Sequence, residues 1–231
     1  MKLKISMIDA EFLLTSQSVL TLSFEEKPDF SKRTLDIIST IEGDEENFIV
    51  FEGNKTLEPS KVFAVIRDFL TPDLDSKKTQ THIFDEMSHN IENNELLFEE
   101  YSEIQRRVTT LVENAKIGLD YAISSDESIC LGDLFKSMNT KITAGKYDFK
   151  EKLIINLEIR FQTAKTKCFV LVSPRQYFSP EELTQIFDYC VYSGFIIITL
   201  ESLKINNSYK NEMVYNVSED GEVAPLAPDL S

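Results

Sequence analysis

The sequence predicts an α/β fold in which a sheet containing parallel strands carries an inserted helical arm. Near the end of the chain, two apolar runs, CFVLV (168–172) and FIIITLE (195–201), flank a helix that begins at Ser179-Pro180 and ends before Gly194. Serine is a favoured N-cap, proline fits the first helical turn, and parallel strands need such a crossover. Two further observations agree. The start of the chain alternates like a strand, and a long stretch without Pro has helical periodicity.

The N-terminal third predicts strands around one helix. Alternation over residues 3–7 and the apolar run 19–24 indicate two strands, and FIVFE (48–52) indicates a buried one. A helix is expected from Pro28 to Gly43, since glycine is a common helix stop. The run 62–70 is ambiguous, but its β-branched start favours a strand that ends before Pro72.

The middle of the chain predicts a helical arm. From Thr79 to about Ala122 apolar residues recur at helical spacing, and the Asn93-Asn94 pair suggests a break between two helices. We therefore expect an α/β head domain over 1–78 and 129–231, with the arm, or leg, inserted at 79–128. After the arm we expect a helix at 131–138, a short strand KITAG (141–145), a helix from Asp148, and a frayed tail after Glu219.

Composition is typical of a globular intracellular protein. The 231 residues are 42% hydrophobic, which is enough for one large domain or a core with an appended subdomain. Cys130, Cys168 and Cys190 lie far apart, which indicates free thiols in a reducing compartment. No segment approaches the ~20 apolar residues of a membrane span, and the start lacks a signal-peptide pattern. We expect a cytoplasmic protein with no membrane partner.

One basic stretch stands out in this acidic chain. Between Lys136 and Lys167 eight basic residues oppose three acidic ones, so the local charge is +5 against a formal net charge of −15. Such asymmetry indicates a polyanion-facing surface, whose lysines would contact phosphates rather than bases. A solvated helix face is the alternative. The candidate DNA-binding residues are Lys136, Lys141, Lys146 and Lys150, extended on the arm by Arg106 and Arg107.

Four acids gather where the predicted arm rejoins the head. Ca²⁺ prefers several flexible oxygen ligands, so we take as candidate metal ligands Asp120, Asp126, Glu127 and Asp133. Their spacing matches no EF-hand loop, and helix-capping acids are the alternative. A nucleotide cofactor is not expected, because none of the seven glycines lies in a GxxxxGK[ST] or GxGxxG frame.

Four stretches in this order resemble one family. They are KISMIDAEF (4–12), IRDFLTPDLDS (66–76), LGDLFKSMNTKI (131–142) and KCFVLVSPRQYFSPEELTQIFDYCVYSGFIIITLE (167–201). Each is weakly diagnostic alone, but their colinearity over nearly the whole chain resembles the ring-forming, DNA-end-binding CRISPR-associated protein of type II-A spacer acquisition.

The resemblance implies a head with a degenerate P-loop-NTPase-like α/β fold and a helical leg. It also implies a homotetrameric ring with Ca²⁺ near the head–leg hinge and no catalytic activity. Double-stranded DNA would pass through a lysine-lined hole, to which Lys136, Lys141, Lys146 and Lys150 correspond by position. The expected partners are the CRISPR integrase complex and the type II effector nuclease, in antiviral defence. Fewer acids than the family pattern occupy this hinge, since Tyr121, Ile123, Ser125 and Ser128 stand where acids are expected.

Two other functions are compatible with the sequence. One is a divergent nucleotide-binding hydrolase on the same sheet, which the missing phosphate loop disfavours. The other is a purely structural homo-oligomer whose basic stretch pairs with the acidic surface of a neighbouring subunit.

Overall fold

A computed structural model describes residues 1–6, 8, 10–71, 74, 76–126, 128–164 and 166–226. The chain forms two compact units. The α/β unit comprises Met1–Pro72 and Gly145–Ser231, and the helical unit comprises Asp73–Ala144. The predicted α/β fold with an inserted helical segment is confirmed.

The strands and helices follow one another in chain order as follows. The strands are β1 (Lys2–Ile5), β2 (Glu11–Leu13), β3 (Val19–Phe24), β4 (Phe48–Glu52), β5 (Lys55–Leu57), β6 (Phe63–Ile66), β7 (Cys168–Val172), β8 (Ile196–Ser202), β9 (Glu212–Val217) and β10 (Val223–Pro225). The helices are α1 (Lys27–Glu42), α2 (Pro59–Val62), α3 (Lys77–Glu92), α4 (Glu95–Lys116), α5 (Leu131–Ser137), α6 (Phe149–Ala164) and α7 (Pro180–Tyr192).

A six-stranded sheet of order β10-β9-β3-β8-β7-β6 forms the centre of the α/β unit. Every neighbouring pair from β9 to β6 is parallel, and only β10 runs antiparallel to β9. The predicted β7–α7–β8 crossover is confirmed, with Ser179 and Glu182 forming a reciprocal capping box at the start of α7. Its two strands pair in register, with Cys168 opposite Ile196.

Alternating residues of the six-stranded sheet pack in two hydrophobic cores, one on each face. On one face, Leu22 and Val170 pack with Ile37 of α1 and with a small antiparallel sheet of order β2-β1-β4-β5. On the other face, Phe169 and Leu171 pack with residues of α6 and α7, among them Leu157, which is fully buried. Both faces of the parallel sheet are therefore covered, as such sheets require.

The connection from β8 to β9 crosses the sheet without a helix. It joins parallel strands on either side of β3, yet residues 203–211 form an irregular loop that has a positive φ at each end, at Leu203 and Asn211. Parallel crossovers usually contain a helix whose apolar face covers the sheet. Here the crossover contains no helix, and the buried sheet residues Thr21 and Thr199 are polar. Tyr209 of the loop packs on Phe187 of α7.

The helical unit is built on two successive helices in contact, α3 and α4, and a short third helix, α5. Asn94 ends the break between α3 and α4 and caps α4 with its side-chain oxygen, which confirms the predicted break. Helix α5 packs on α3, with the Phe84 and Phe135 rings 5.7 Å apart. The helical unit therefore extends to Ala144, beyond the predicted boundary at 128/129. The boundary differs because α5 packs on α3.

Two local predictions were wrong. Residues 141–143 are not a strand, and Ala144–Lys146 is a turn of 3-10 helix, although Ile142 and Thr143 are β-branched. The first part of the predicted frayed tail contains β10, which pairs with β9 through the register Val223 to Val217, and residues 227–231 lie outside the described residues. Both errors have one cause, since pairing partners, which the local sequence does not show, decide whether a short segment becomes a strand.

Candidate nucleic-acid interface

Two of the candidate DNA-binding lysines lie at the end of α5 in the helical unit. The helix ends in a Schellman motif: Asn139 has a φ of 51°, and the N–H of Thr140 donates to the carbonyl of Phe135 at 3.1 Å. Lys136, in the last turn, and Lys141, just after the motif, are exposed. Within the described ranges no carboxylate forms an ion pair with either. Both ammonium groups are therefore available to an anion.

The other two lysines belong to the α/β unit and differ in their surroundings. Lys146 is exposed at the end of the 3-10 turn, and no described carboxylate pairs with it. Lys150 is half-buried on α6, and its Nζ donates to Oε1 of Gln185 on α7 at 2.5 Å. Lys146 is thus free for a phosphate, whereas Lys150 would have to exchange a bond within the protein.

The two arginines of the predicted surface share one carboxylate partner. Arg106 and Arg107 on α4 both bind the carboxylate of Glu103, and the shortest N···O distance of each pair is 2.8 Å. The hydrogen bond from Arg107, followed by that from Arg106, lowers the pKa of Glu103. Since one carboxylate offsets part of the charge of two guanidinium groups, this part of the surface attracts a polyanion less than the lysines do.

The predicted calcium ligands do not form a site among the described residues. Asp120 and Asp126 are exposed, Asp133 lies exposed in the first turn of α5, and Glu127 lies outside the described residues. No group of three or more His, Cys, Asp or Glu side chains able to hold a metal occurs in the part of the chain that the structure describes. Asp133 at a helix N-terminus fits the capping alternative. Since Glu127 lies outside the described residues, the calcium site stays a prediction.

Sequence reasoning missed a buried polar network under the β8–β9 crossover. Arg175, in the turn after β7, donates from Nη2 to both oxygens of Glu212 at 2.7 Å, and its backbone N–H donates to Glu201 Oε1 at 3.0 Å. The Thr21 hydroxyl donates to Glu212 Oε1 at 2.6 Å, and the Arg175 guanidinium carbon lies 4.4 Å from the Tyr209 ring centroid. These contacts fasten the loop to the sheet.

The network holds two carboxyl groups away from water, while the Arg175 side chain is 21% exposed. The Glu212 side chain is fully buried and Glu201 is 3% exposed. Burial raises the pKa of Glu201 to about 7. The backbone N–H and the charge of Arg175 oppose this rise, and the charge of Glu212 adds to it. The available sequence signal is a glutamate within the buried run FIIITLE, a residue type almost never buried without a partner.

No helix in the described part of the chain is both long enough and apolar enough to cross a membrane. A model of the family described as CRISPR-associated protein (Cas_Csn2) matches residues 40–220. The chain is a member of the Cas_Csn2 family. Three of the four stretches that carried the resemblance lie inside the matched range, and only KISMIDAEF lies before it. Membership in Cas_Csn2 gives the protein a role related to CRISPR adaptation.

Solved structures of other proteins are distantly similar to this Cas_Csn2 member. MJ1267, an ATP-binding cassette of an ABC transporter, is similar in its ADP conformation with 12% identity and a TM-score of 0.48, over 96% of this chain and 88% of that chain. A nucleotide-free ATP-binding cassette from an ABC transporter is similar with 14% identity and a TM-score of 0.47, over 99% and 92%. No curated protein matches the sequence.

Proposed function

We propose that the protein binds double-stranded DNA through its phosphates, without sequence preference, as a non-catalytic homotetrameric ring that acts with the CRISPR integrase complex and the type II effector nuclease. The observation that carries the proposal is the exposure of Lys136, Lys141 and Lys146 without a described carboxylate partner, in a chain of net charge −15. A protein of negative net charge repels DNA as a whole. Unpaired lysines that are grouped in sequence therefore indicate the surface at which it can contact a duplex.

The proposal predicts a weaker and less salt-sensitive complex when two lysines are neutralised. Lys136→Gln with Lys141→Gln is expected to reduce duplex affinity about tenfold or more at low salt. The slope of log K against log salt should fall by about two for each subunit engaged, because every phosphate contact contributes about one. Fluorescence anisotropy with a labelled linear duplex over a salt series measures both quantities.

A matched control separates these lysines from net charge. Lys32 and Lys55 are also exposed and no described carboxylate pairs with them, so Lys32→Gln with Lys55→Gln makes the same charge change elsewhere. The control should bind DNA within about twofold of the wild type. Equal losses in both double variants would remove Lys136 and Lys141 from the interface.

The ring part of the proposal has its own test. A closed ring admits DNA only at an end, so linear duplex should bind and covalently closed circular duplex of the same length should not. Equal binding of both forms would exclude threading while leaving phosphate binding intact.

Self-association is supported by an apolar face without a described partner. Helix α4 contains no buried residue, although its apolar positions recur at helical spacing. Leu96 is 72% exposed and Leu111 is 67% exposed. Large apolar side chains exposed along one helix commonly mark a protein–protein interface. We therefore propose that α4 contributes to the contact between subunits.

Leu111→Glu is expected to weaken self-association about tenfold or more, because it removes the burial of a leucine and places a charge in the contact. Sedimentation equilibrium over a concentration series measures the association. Leu35 on α1, 65% exposed, provides the matched control, and Leu35→Glu should leave association unchanged. If Leu111→Glu associates like the wild type, α4 is not part of the contact.

The absence of catalysis is proposed from the turn between β3 and α1. It carries Glu25 and Glu26, contains no glycine, and is followed by Pro28 in the first turn of α1. The carboxylate of Glu26 disfavours a phosphate at this helix N-terminus, where Lys204 pairs with Glu25 at 2.6 Å. A turn without glycine also does not bring backbone N–H groups around a phosphate. A direct ATP titration should therefore show no saturable binding.

A further inference from the structure

The small antiparallel sheet is incomplete along one edge. Strand β4 pairs with β1 from Phe48 to Phe51, but its ladder to the edge strand β5 includes only Val50–Glu52. After Leu57 the chain enters the short helix α2 at Pro59, which cannot donate to a ladder. The backbone of Phe48 and Ile49 is therefore left without a strand on the β5 side among the described residues.

A groove of about 540 Å³ lies at this open edge. Its apolar lining includes Phe51, Leu57 and Ile49, which is 44% exposed. Its charged lining is acidic, since Glu45, Glu46 and Glu58 contribute to it and no lysine or arginine does. Lys61, beside the groove, pairs with Glu58 at 2.5 Å, so Glu45 and Glu46 are the two carboxylates of the lining without a basic partner among the described residues. The volume lies in the usual range for a binding cleft.

We propose that this groove binds an extended segment of a partner protein, rich in alternating basic and apolar residues, as an added strand beside Phe48 and Ile49. An added strand would continue the ladder of β4 beyond Val50 through main-chain hydrogen bonds, and its alternate side chains point to opposite faces. Apolar side chains would then contact Ile49 and Phe51, while basic ones would meet Glu45 and Glu46.

Charge decides between the possible occupants. A nucleic acid is repelled by the carboxylates of Glu45 and Glu46. A second copy seated groove to groove would oppose the same acids with its own, and like charges across a strand pair are destabilising. A basic segment of a different protein meets neither obstacle. The groove and the proposed DNA interface share no residue, so either proposal can fail alone.

The probe is a fluorescein-labelled ten-residue peptide of alternating lysine and valine, titrated with the full-length protein and followed by anisotropy. Ile49→Ser should weaken binding about tenfold, because an apolar contact is lost, and Glu46→Lys about fivefold. Peptides of alternating lysine and glycine, or of alternating glutamate and valine, should bind at least about tenfold less well than the probe.

Two matched variants make the test selective. Leu13, 58% exposed on β2, is separated from β4 by β1, so Leu13→Ser repeats the apolar loss on the same sheet outside the groove. Glu99→Lys repeats the charge reversal at an exposed position of α4. Both controls should bind the peptide as the wild type does. Equal weakening by groove and control variants would overturn the proposal, as would loss of self-association in Ile49→Ser, which would make the groove a contact between copies.

Discussion

Arg175→Met is expected to lower the free energy of unfolding by about 3–5 kcal/mol, the usual cost of removing one partner from a buried ion pair. The substitution keeps the apolar stem but removes the guanidinium that bridges β7 to the fully buried Glu212. Glu212 would keep the Thr21 hydroxyl and the Tyr209 N–H, two neutral donors that do not balance a carboxylate. Urea unfolding monitored by circular dichroism measures the loss.

Two companion variants show whether the buried charge is responsible. Arg67, exposed and only loosely paired with Glu42 at 4.0 Å, offers a control in the same unit, and Arg67→Met should change stability by about 0.5 kcal/mol at most. Adding Glu212→Gln to Arg175→Met should recover most of the loss, because no unpaired charge is then buried. A loss below about 1 kcal/mol for Arg175→Met would mean that the network contributes little.

Glu201→Gln is expected to make stability less dependent on pH. The pKa of Glu201 is about 7 in the folded protein and 4.5 ordinarily, so the native state holds the extra proton between these values. Stability contributed by this group is therefore present at acidic pH and is lost as pH rises toward 7, by about 3 kcal/mol in total. Glutamine still accepts the Arg175 N–H, so the variant should exceed the wild type in stability at about pH 8 and approach it at about pH 5.

Unfolding in urea at the two pH values, for wild type and variant, measures this difference. Glu46→Gln, at an exposed position, is the control and should differ from the wild type equally at both pH values. If the difference between Glu201→Gln and wild type is the same at both pH values, Glu201 does not titrate in this range.

The fold was largely predictable because its strongest signals are local. The capping box at Ser179 and the two apolar runs around α7 lie within one continuous segment, and they define a parallel crossover without reference to the rest of the chain. Strand β10 and the supposed strand at 141–145 were misjudged because pairing across the sheet decides both.

The residue types of the candidate site were predictable from the sequence, but their partners were predictable only where both residues lie on one helix. The exposure of Lys136 and Lys141 follows from polar positions on and after an amphipathic helix, but the bond from Lys150 to Gln185 joins two helices. The pairing of Arg106 and Arg107 with Glu103 had a sequence signal, since their i, i+3 and i, i+4 spacing is that of helical ion pairs.

The buried network lacked any such signal as a whole. Its residues come from four separate segments of the chain: Thr21, Arg175, Glu201 and Glu212. Polar residues fit on that face of the sheet only because the β8–β9 crossover has no apolar helix to pack there. A buried glutamate in an apolar run indicates that a partner exists, and tertiary structure alone identifies it.

The position of β3 in the sheet has a consequence for synthesis on the ribosome. Its two neighbours, β8 and β9, lie near the opposite end of the chain, so Leu22 meets Leu200 and Tyr215 only after almost the whole protein has been made. Until then the apolar run VLTLSF has neither of its strand partners, and such segments are prone to aggregate during slow, non-local folding. A nascent chain stalled before Ile196 would expose β3 to chaperones or to other chains, whereas one released after Val217 contains both strand partners of β3.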